Sequence, residues 1–585
     1  MKIIATKAIY KLNARGGFVN VATLLLFALQ ISPFFSFSQQ RSANITFSDQ
    51  SKAHKCRILK VDSLSINNSL ENCLLKYRSR GYIAARLDSV SFNSTNTKAW
   101  GFLGARFRWN ITPPDSTLAY WLNVSGQPYS SFKSRPVNSF EIAGVSDKLI
   151  LSLENNGYPF ANVATKVQQV DSNLLAINYA LQQGPFIAWD TLVVKGDARV
   201  SQRFIARYIG FSKSKAYSES FLNRINSKID ELPYLSSIRK AEVEFLSKTA
   251  HLYLYINNRK ANRFSGIIGV SSDKASNSGI QLTGDLNLML WNSFRNGEYI
   301  FIKWAGLGEG TQHLNTAYSI PFIAASSIGA EFCFKMQKQD SSFLNVNPRG
   351  ALTFQSNGGF VTSLGVELKK SNVLTSQVVS SNRNFTTLLY QLKFQKGIYS
   401  ASEFPRSGMF FGSSFAAGRQ NYSQTGVSKR RSISNVQGKF SVTFPVAAQF
   451  LLARIATVGQ AMFELSGSSE LEKFTENELY RIGGAENLRG FNQESILTDR
   501  YAVATAELHL IAKQAASIYI FTDLANVSQI SNLINRSTWA NGVGVGTLLN
   551  TGNGILNFSF AMGNGFGQVI SFRDSKVHIG YVAGF

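Results

Sequence analysis

Ile280-Gln281-Leu282-Thr283-Gly284-Asp285-Leu286-Asn287-Leu288 places apolar residues or glycine at every even position and polar residues at every odd one. A period of two marks a strand with one apolar and one wet face. The pattern recurs in Tyr390-Gln391-Leu392-Lys393-Phe394 and again where Phe440, Val442 and Phe444 oppose Lys439, Ser441 and Thr443. It also ends the chain, with Val577, Ile579, Tyr581, Ala583 and Phe585 alternating with Lys576, His578, Gly580, Val582 and Gly584. A soluble sandwich alternates as well. Here the strands run past eight residues, no helical pattern interrupts residues 261–585, and the chain opens with an export-like segment. These features predict a transmembrane antiparallel β-barrel. At about 9–11 residues per spanning strand, the stretch holds about 16 strands.

Composition agrees. Charged residues are 16% of the chain and hydrophobic residues 44%, whereas soluble domains carry about 25% charged residues. The repeated runs of roughly 20 apolar residues that a helical membrane protein needs are absent. The formal charge of +25 first suggests nucleic acid, but the basic residues are scattered, with only short clusters such as Lys429-Arg430-Arg431. A solvated lumen and surface explain them, so no nucleic-acid partner is expected. Such a surface can attract anionic lipid or an acidic client. No CxxC occurs, the five histidines are dispersed, and there is no GxSxG, phosphate loop or Ser-His-Asp constellation. No metal, cofactor or enzymatic activity is therefore expected. Cys56 and Cys73 are open to two readings, a disulfide in an oxidising compartment or two small unpaired core residues.

Lys2, Lys7, Lys11 and Arg15 precede an apolar stretch from Phe18 to Phe37, and Ser36-Phe37-Ser38 offers a small-x-small cleavage site before Gln39. Residues 1–38 read as a signal peptide; an uncleaved anchor helix is the rival reading. Residues 39–55 are polar and without periodicity, and are expected to be a flexible terminus.

A repeat follows. Leu70 to Arg80 is helical in pattern and leads into Gly81-Tyr82-Ile83-Ala84-Ala85 and a strand through Leu87, Val90 and Phe92. Asp147 to Asn156 leads likewise into Gly157-Tyr158-Pro159-Phe160-Ala161 and a strand through Val163 and Val167. In each copy Gly supplies a left-handed helix cap, the aromatic packs back on the helix, and a small Ala lets helix and strand approach. A third unit reads as strand Thr191–Val194, helices Arg199–Tyr208 and Ser218–Asp230, and a hairpin Arg239–Leu246 with Ala250–Ile256. The expected small α/β domains span 56–115, 116–187 and 188–260.

One stretch in the barrel half is more specific: Arg481-Ile482-Gly483-Gly484-Ala485-Glu486-Asn487-Leu488-Arg489-Gly490-Phe491. It resembles the barrel signature of the bacterial surface antigen superfamily, the outer-membrane insertases and translocases that include BamA, TamA and the two-partner secretion transporters. Gly483 and Gly484 match its glycine pair, and Leu488, Arg489, Gly490 and Phe491 fill its loop motif. Ala506-Glu507-Leu508 resembles a glutamate-bearing strand of the family. Phe521-Thr522-Asp523-Leu524-Ala525-Asn526-Val527 resembles its F-x-D-x-G-x-V strand, with Ala525 where glycine is usual. The resemblance implies an extracellular loop folded into the lumen, with Arg489 between Glu507 and Asp523. It also implies that the terminal strand, with Tyr581 and Phe585, is an assembly signal, that Gly542, Gly544 and Gly546 form the family's glycine-rich penultimate region, and that the α/β repeats are POTRA domains. Their number, three, is closer to TamA-type members than to BamA. The implied protein sits in the bacterial outer membrane with its N-terminal domains in the periplasm. It inserts or translocates unfolded outer-membrane or secreted polypeptides, with outer-membrane lipid and an accessory periplasmic or inner-membrane protein as further partners. The alternative is a secretion pore for one dedicated exported protein.

Overall fold

The structure, a computed structural model, describes residues 41–48, 53–61, 66–92, 96–111, 113–132, 135–272, 280–308, 310–324, 326–356, 359–374, 382–399, 407–424, 427–447, 450–465, 474–512, 516–530, 535–551 and 554–584. The expected signal peptide and Phe585 lie outside them. No described helix is long and apolar enough to cross a membrane. The chain forms two compact units, residues 1–186 and 187–585.

The first unit holds two α/β domains. In the first, helix Ile66–Arg78 packs Leu70, Cys73, Leu74 and Tyr77 against Ala85, Ala99 and Leu103. That spacing places the four side chains on one helical face. Gly81 takes φ +103°, the Tyr82 amide donates to the Tyr77 carbonyl, and the two rings meet edge-on at 6.2 Å. The sheet order is Ala53–Val61, Arg41–Ser48, Asn96–Phe102, Arg86–Phe92. The stretch expected to be a flexible terminus, 39–55, therefore contributes an inner strand: Arg41–Ser48 pairs on both sides. Its backbone is ordered by two ladders, a non-local cause that a polar octapeptide does not advertise. Cys73 is disulfide-bonded and Cys333 is free; the Cys56 side chain lies outside the described residues.

The second domain starts before residue 116, because strand Arg108–Ile111 pairs in parallel with Leu174–Gln182, the centre of its sheet. Asn162–Asp171 flanks the other side of that strand. Helices Ser116–Val124 and Ser139–Glu154 cover the sheet; the first was not expected from sequence and is capped by Asp115, whose carboxylate accepts from the Leu118 amide at 2.6 Å. Gly157, at φ +97°, lies against the Phe186 ring.

The second unit begins with the third domain. Ala188–Lys195 runs parallel to Thr249–Asn258, which also pairs with Glu242–Phe245 and with Leu235–Ser237, a short strand not expected from sequence. Helices Gln202–Ile209 and Glu219–Asp230 close the core over Ile187, Trp189, Leu252 and Ile256. The domain sits on the barrel: the Ser201 amide donates to the Arg295 carbonyl at 2.8 Å, and Tyr234 stacks on Trp291 at 6.1 Å.

Sixteen antiparallel strands, from Arg263–Ser272 to Lys576–Gly584, close the barrel. Alternation sorts the faces. On strand Arg500–Ala512, Leu508 and Leu510 are exposed outward, while the side chains of Glu507 and His509 are turned in and only 8% and 14% exposed. An outward apolar band and a polar lumen define a barrel made for lipid. Closure is uneven. Among the described residues the first and last strands share two residue pairs, Arg263 with Gly584 and Phe264 with Ala583, whereas Gly408–Gln424 pairs along its whole length with residues Val427 to Thr443.

Candidate functional site

Between strands Leu451–Glu464 and Arg500–Ala512, residues 474–498 fold into the lumen. Tyr480–Ile482 and Ile496–Thr498 form a two-stranded stem, and residues 483–495 form the tip. Ile482, Leu488, Phe491 and Ile496 make a small apolar core with Val503, Ala525, Val527 and Ala540 of the wall. The tip also reaches the other side of the barrel, where Glu486 pairs with Lys303 and Glu494 with His313 at 3.2 Å.

Arg489 is the centre of the tip. Its Nε and Nη2 donate to Asp523 Oδ2 and Oδ1 at 2.8 and 2.7 Å, and its Nη1 donates to Glu507 Oε1 at 2.8 Å. Its backbone amide also donates to Asp523, at 3.1 Å. A planar guanidinium suits two carboxylates approached at once; a lysine offers no such fork. The guanidinium lies 3.5 Å from the centre of the Phe521 ring. The side chains of Arg489, Glu507 and Asp523 are 11%, 8% and 1% exposed, so water does little to relieve a missing partner. Thr505 donates to Asp523 at 2.8 Å, and Arg454 and His509 approach the other Glu507 oxygen at 2.9 and 3.2 Å.

Glycine makes this docking sterically feasible. Gly490 has φ +92°, and a Cβ there would stand 2.6 Å from the Gly563 amide nitrogen of the wall. A Cβ on Gly542 would lie 2.0 Å from the Arg489 carbonyl oxygen. The glycine run at 542, 544 and 546 thus opens room for the loop backbone and for the rings of Phe521 and Tyr519.

The structure brings together Leu488, Arg489, Gly490, Phe491, Glu507, Phe521 and Asp523. It puts Gly483 and Gly484, both at positive φ, where the stem turns into the tip. Tyr581 stands apart on the last strand, 43% exposed.

A second cluster was not expected from sequence. Glu478, at the base of the loop, is 2% exposed and receives Arg383 Nε and Nη2 at 3.1 and 2.8 Å, Gln420 at 2.8 Å, and Arg431. Thr475 donates to it through backbone and hydroxyl, both at 2.7 Å. Asn477 beside it donates to Ser371 at 2.7 Å and to the Arg383 carbonyl at 2.8 Å. Arg454 also went unnoticed in the sequence, though it pairs in register with Glu507 across the neighbouring strand. Among the described residues no His, Cys, Asp and Glu cluster could hold a metal ion.

A lipid-facing barrel of sixteen strands, carrying small α/β domains in front and a loop fastened in its lumen, defines a class of outer-membrane-type barrel. Solved structures with this fold include CdiB from Acinetobacter baumannii, at TM-score 0.51 and 12% identity over 82% of this chain and 90% of that one. CdiB from Escherichia coli overlays at TM-score 0.50 and 13% identity, covering 89% and 96% of the two chains. BamA from Haemophilus ducreyi lacking POTRA domains 1–3 matches more loosely, at TM-score 0.44 and 14% identity over 82% and 99%. No family model and no curated protein matches the sequence. At these identities the likeness is one of fold: the chain shares the overall fold of the two CdiB structures.

Proposed function

We propose that this chain is an outer-membrane protein-biogenesis factor of the bacterial surface antigen superfamily that inserts or translocates client polypeptides, and that it works without a catalytic step. The observation that carries the reading is the loop docked in the lumen by Arg489 between Glu507 and Asp523. A passive porin has no need of that loop or of three leading α/β domains. The N-terminal domains stand in the periplasm in this reading. Their sheet edges, such as Asn162–Asp171, receive client strands through main-chain hydrogen bonds that tolerate varied sequence. Among the described residues, the two-pair closure between Arg263–Ser272 and Lys576–Gly584 is the shortest junction in the wall. Opening it exposes strand edges that can template a client strand.

A secretion pore for one dedicated partner is the second reading, and the polar lumen favours it. Capture of clients by the periplasmic segment within the intact protein separates the two. Many unfolded barrel precursors support the biogenesis factor, and a single exported protein supports the pore. Capture of none, with an unchanged outer-membrane proteome on depletion, refutes both.

A further inference from the structure

A cavity of about 440 Å³ lined by both charged and apolar side chains lies in the barrel on the Arg263 side of the loop, away from the Arg489 clamp. Five cations line it: Lys335, Arg349, Lys369, Lys393 and Lys439. Two carboxylates, Glu331 and Glu367, share the lining. Glu331 is engaged with Arg349 at 2.9 Å and Lys393 at 3.8 Å. Arg349 is 10% exposed in its side chain, and its buried Nε and Nη2 make no hydrogen bond. Gln391 Oε1, also in the lining, makes none either. A buried guanidinium with two idle donors is costly unless something meets it.

The cations come from five of the six consecutive staves from Ile328–Gln339 to Val427–Ala447, with Gly408–Gln424 contributing none. With neighbouring strands about 4.8 Å apart, they spread over about 24 Å of curved wall. One phosphate cannot span that. An extended chain presents a side chain to one face about every 6.8 Å, so carboxylates at alternate positions meet such a row. Gln391, Gln395, Gln437 and Gln460 lie among the cations, and side-chain amides can both donate to and accept from a peptide backbone. The cavity continues toward the loop into one of about 720 Å³ through shared residues including Lys335, Lys369 and Tyr480.

We infer that this chamber is a binding site for an extended acidic polypeptide segment. The inference rests on the proposed function in taking the ligand to be part of a client. It is compatible with onward passage through the lumen or sideways release at the seam.

Cys333 lines the chamber, 3.7 Å from Arg349 Nη1, and is a free thiol. The folded full-length protein in detergent is labelled at Cys333 with a neutral maleimide. Competing probes are ten-residue peptides alternating Ser with Glu, Lys or Gln. The Glu peptide slows labelling by about tenfold at low salt, and added salt removes the effect. The Lys and Gln peptides leave the rate unchanged. Lys335→Gln with Lys439→Gln, which spares the Arg349–Glu331 pair, abolishes protection while the barrel stays folded. Equal protection by the Gln peptide, or by inorganic phosphate at matched charge, overturns the assignment, as does no protection by any peptide. If Cys333 resists labelling, Ser414→Cys in the same lining carries the readout. Absent protection with Arg489→Ala still inactive sinks the chamber alone; full activity of Arg489→Ala sinks the proposed function instead.

Discussion

Arg489→Ala removes three charge-assisted hydrogen bonds and leaves Glu507 and Asp523, 8% and 1% exposed, facing each other without their shared cation. Breaking a buried ion pair from one side costs about 3–5 kcal/mol. At 1.4 kcal/mol per factor of ten, the docked loop loses about two to three and a half orders of magnitude against undocked states. The wall should not notice, since its strands are held by their own ladders. The variant should therefore insert and keep its heat-modifiable mobility on gels while losing function. A spin label at Ser495, exposed on the tip, should change from restricted to mobile. Arg489→Lys should fall between, because an ammonium keeps the charge and loses the fork. A double-mutant cycle with Asp523→Asn should give a coupling of about 2 kcal/mol or more. A coupling near zero, or an immobile label in the alanine variant, would refute the docking energetics.

Glu478→Gln should lose the charge shared by Arg383 and Arg431 and keep only one acceptor oxygen, so that the Thr475 or the Gln420 hydrogen bond is lost with it, lowering barrel melting temperature and freeing the loop base, as read by thermal gel shift and proteolysis of residues 474–480. Gly542→Ala should disrupt docking as Arg489→Ala does, because its Cβ meets the Arg489 carbonyl at 2.0 Å, while Gly438→Ala, with nothing within 4 Å, should be silent in the same label assay. Deleting Phe585 should reduce the yield of folded, heat-modifiable barrel; unchanged yield would remove its role in assembly.

The barrel was legible because two-residue periodicity survives in stretches such as Ile280–Leu288, Tyr390–Phe394, Lys439–Phe444 and the last strand. The loop motif was legible as a pattern, but its partners came from resemblance, not from anything local to Arg489. Glu478 gave no signal: its cations Arg383 and Arg431 stand 95 and 47 residues away and meet it only once the wall curves round. Strand Arg41–Ser48 was missed for the same reason, since its place is set by Ala53–Val61 and Asn96–Phe102 rather than by its own composition. Helix Ser116–Val124 is short and has no paired motif to announce it.

The seam is where the account is most exposed. Phe264→Cys with Ala583→Cys, in a Cys333→Ser background, places a reversible cross-link at one of the two described pairs that join the first and last strands. Single-cysteine controls separate its effect from reduction of the bond at Cys73. The measurement is assembly of outer-membrane proteins in cells that depend on the locked variant. The account predicts that oxidation stops assembly and reduction restores it; a fully cross-linked barrel that keeps assembling its clients would contradict release through the seam.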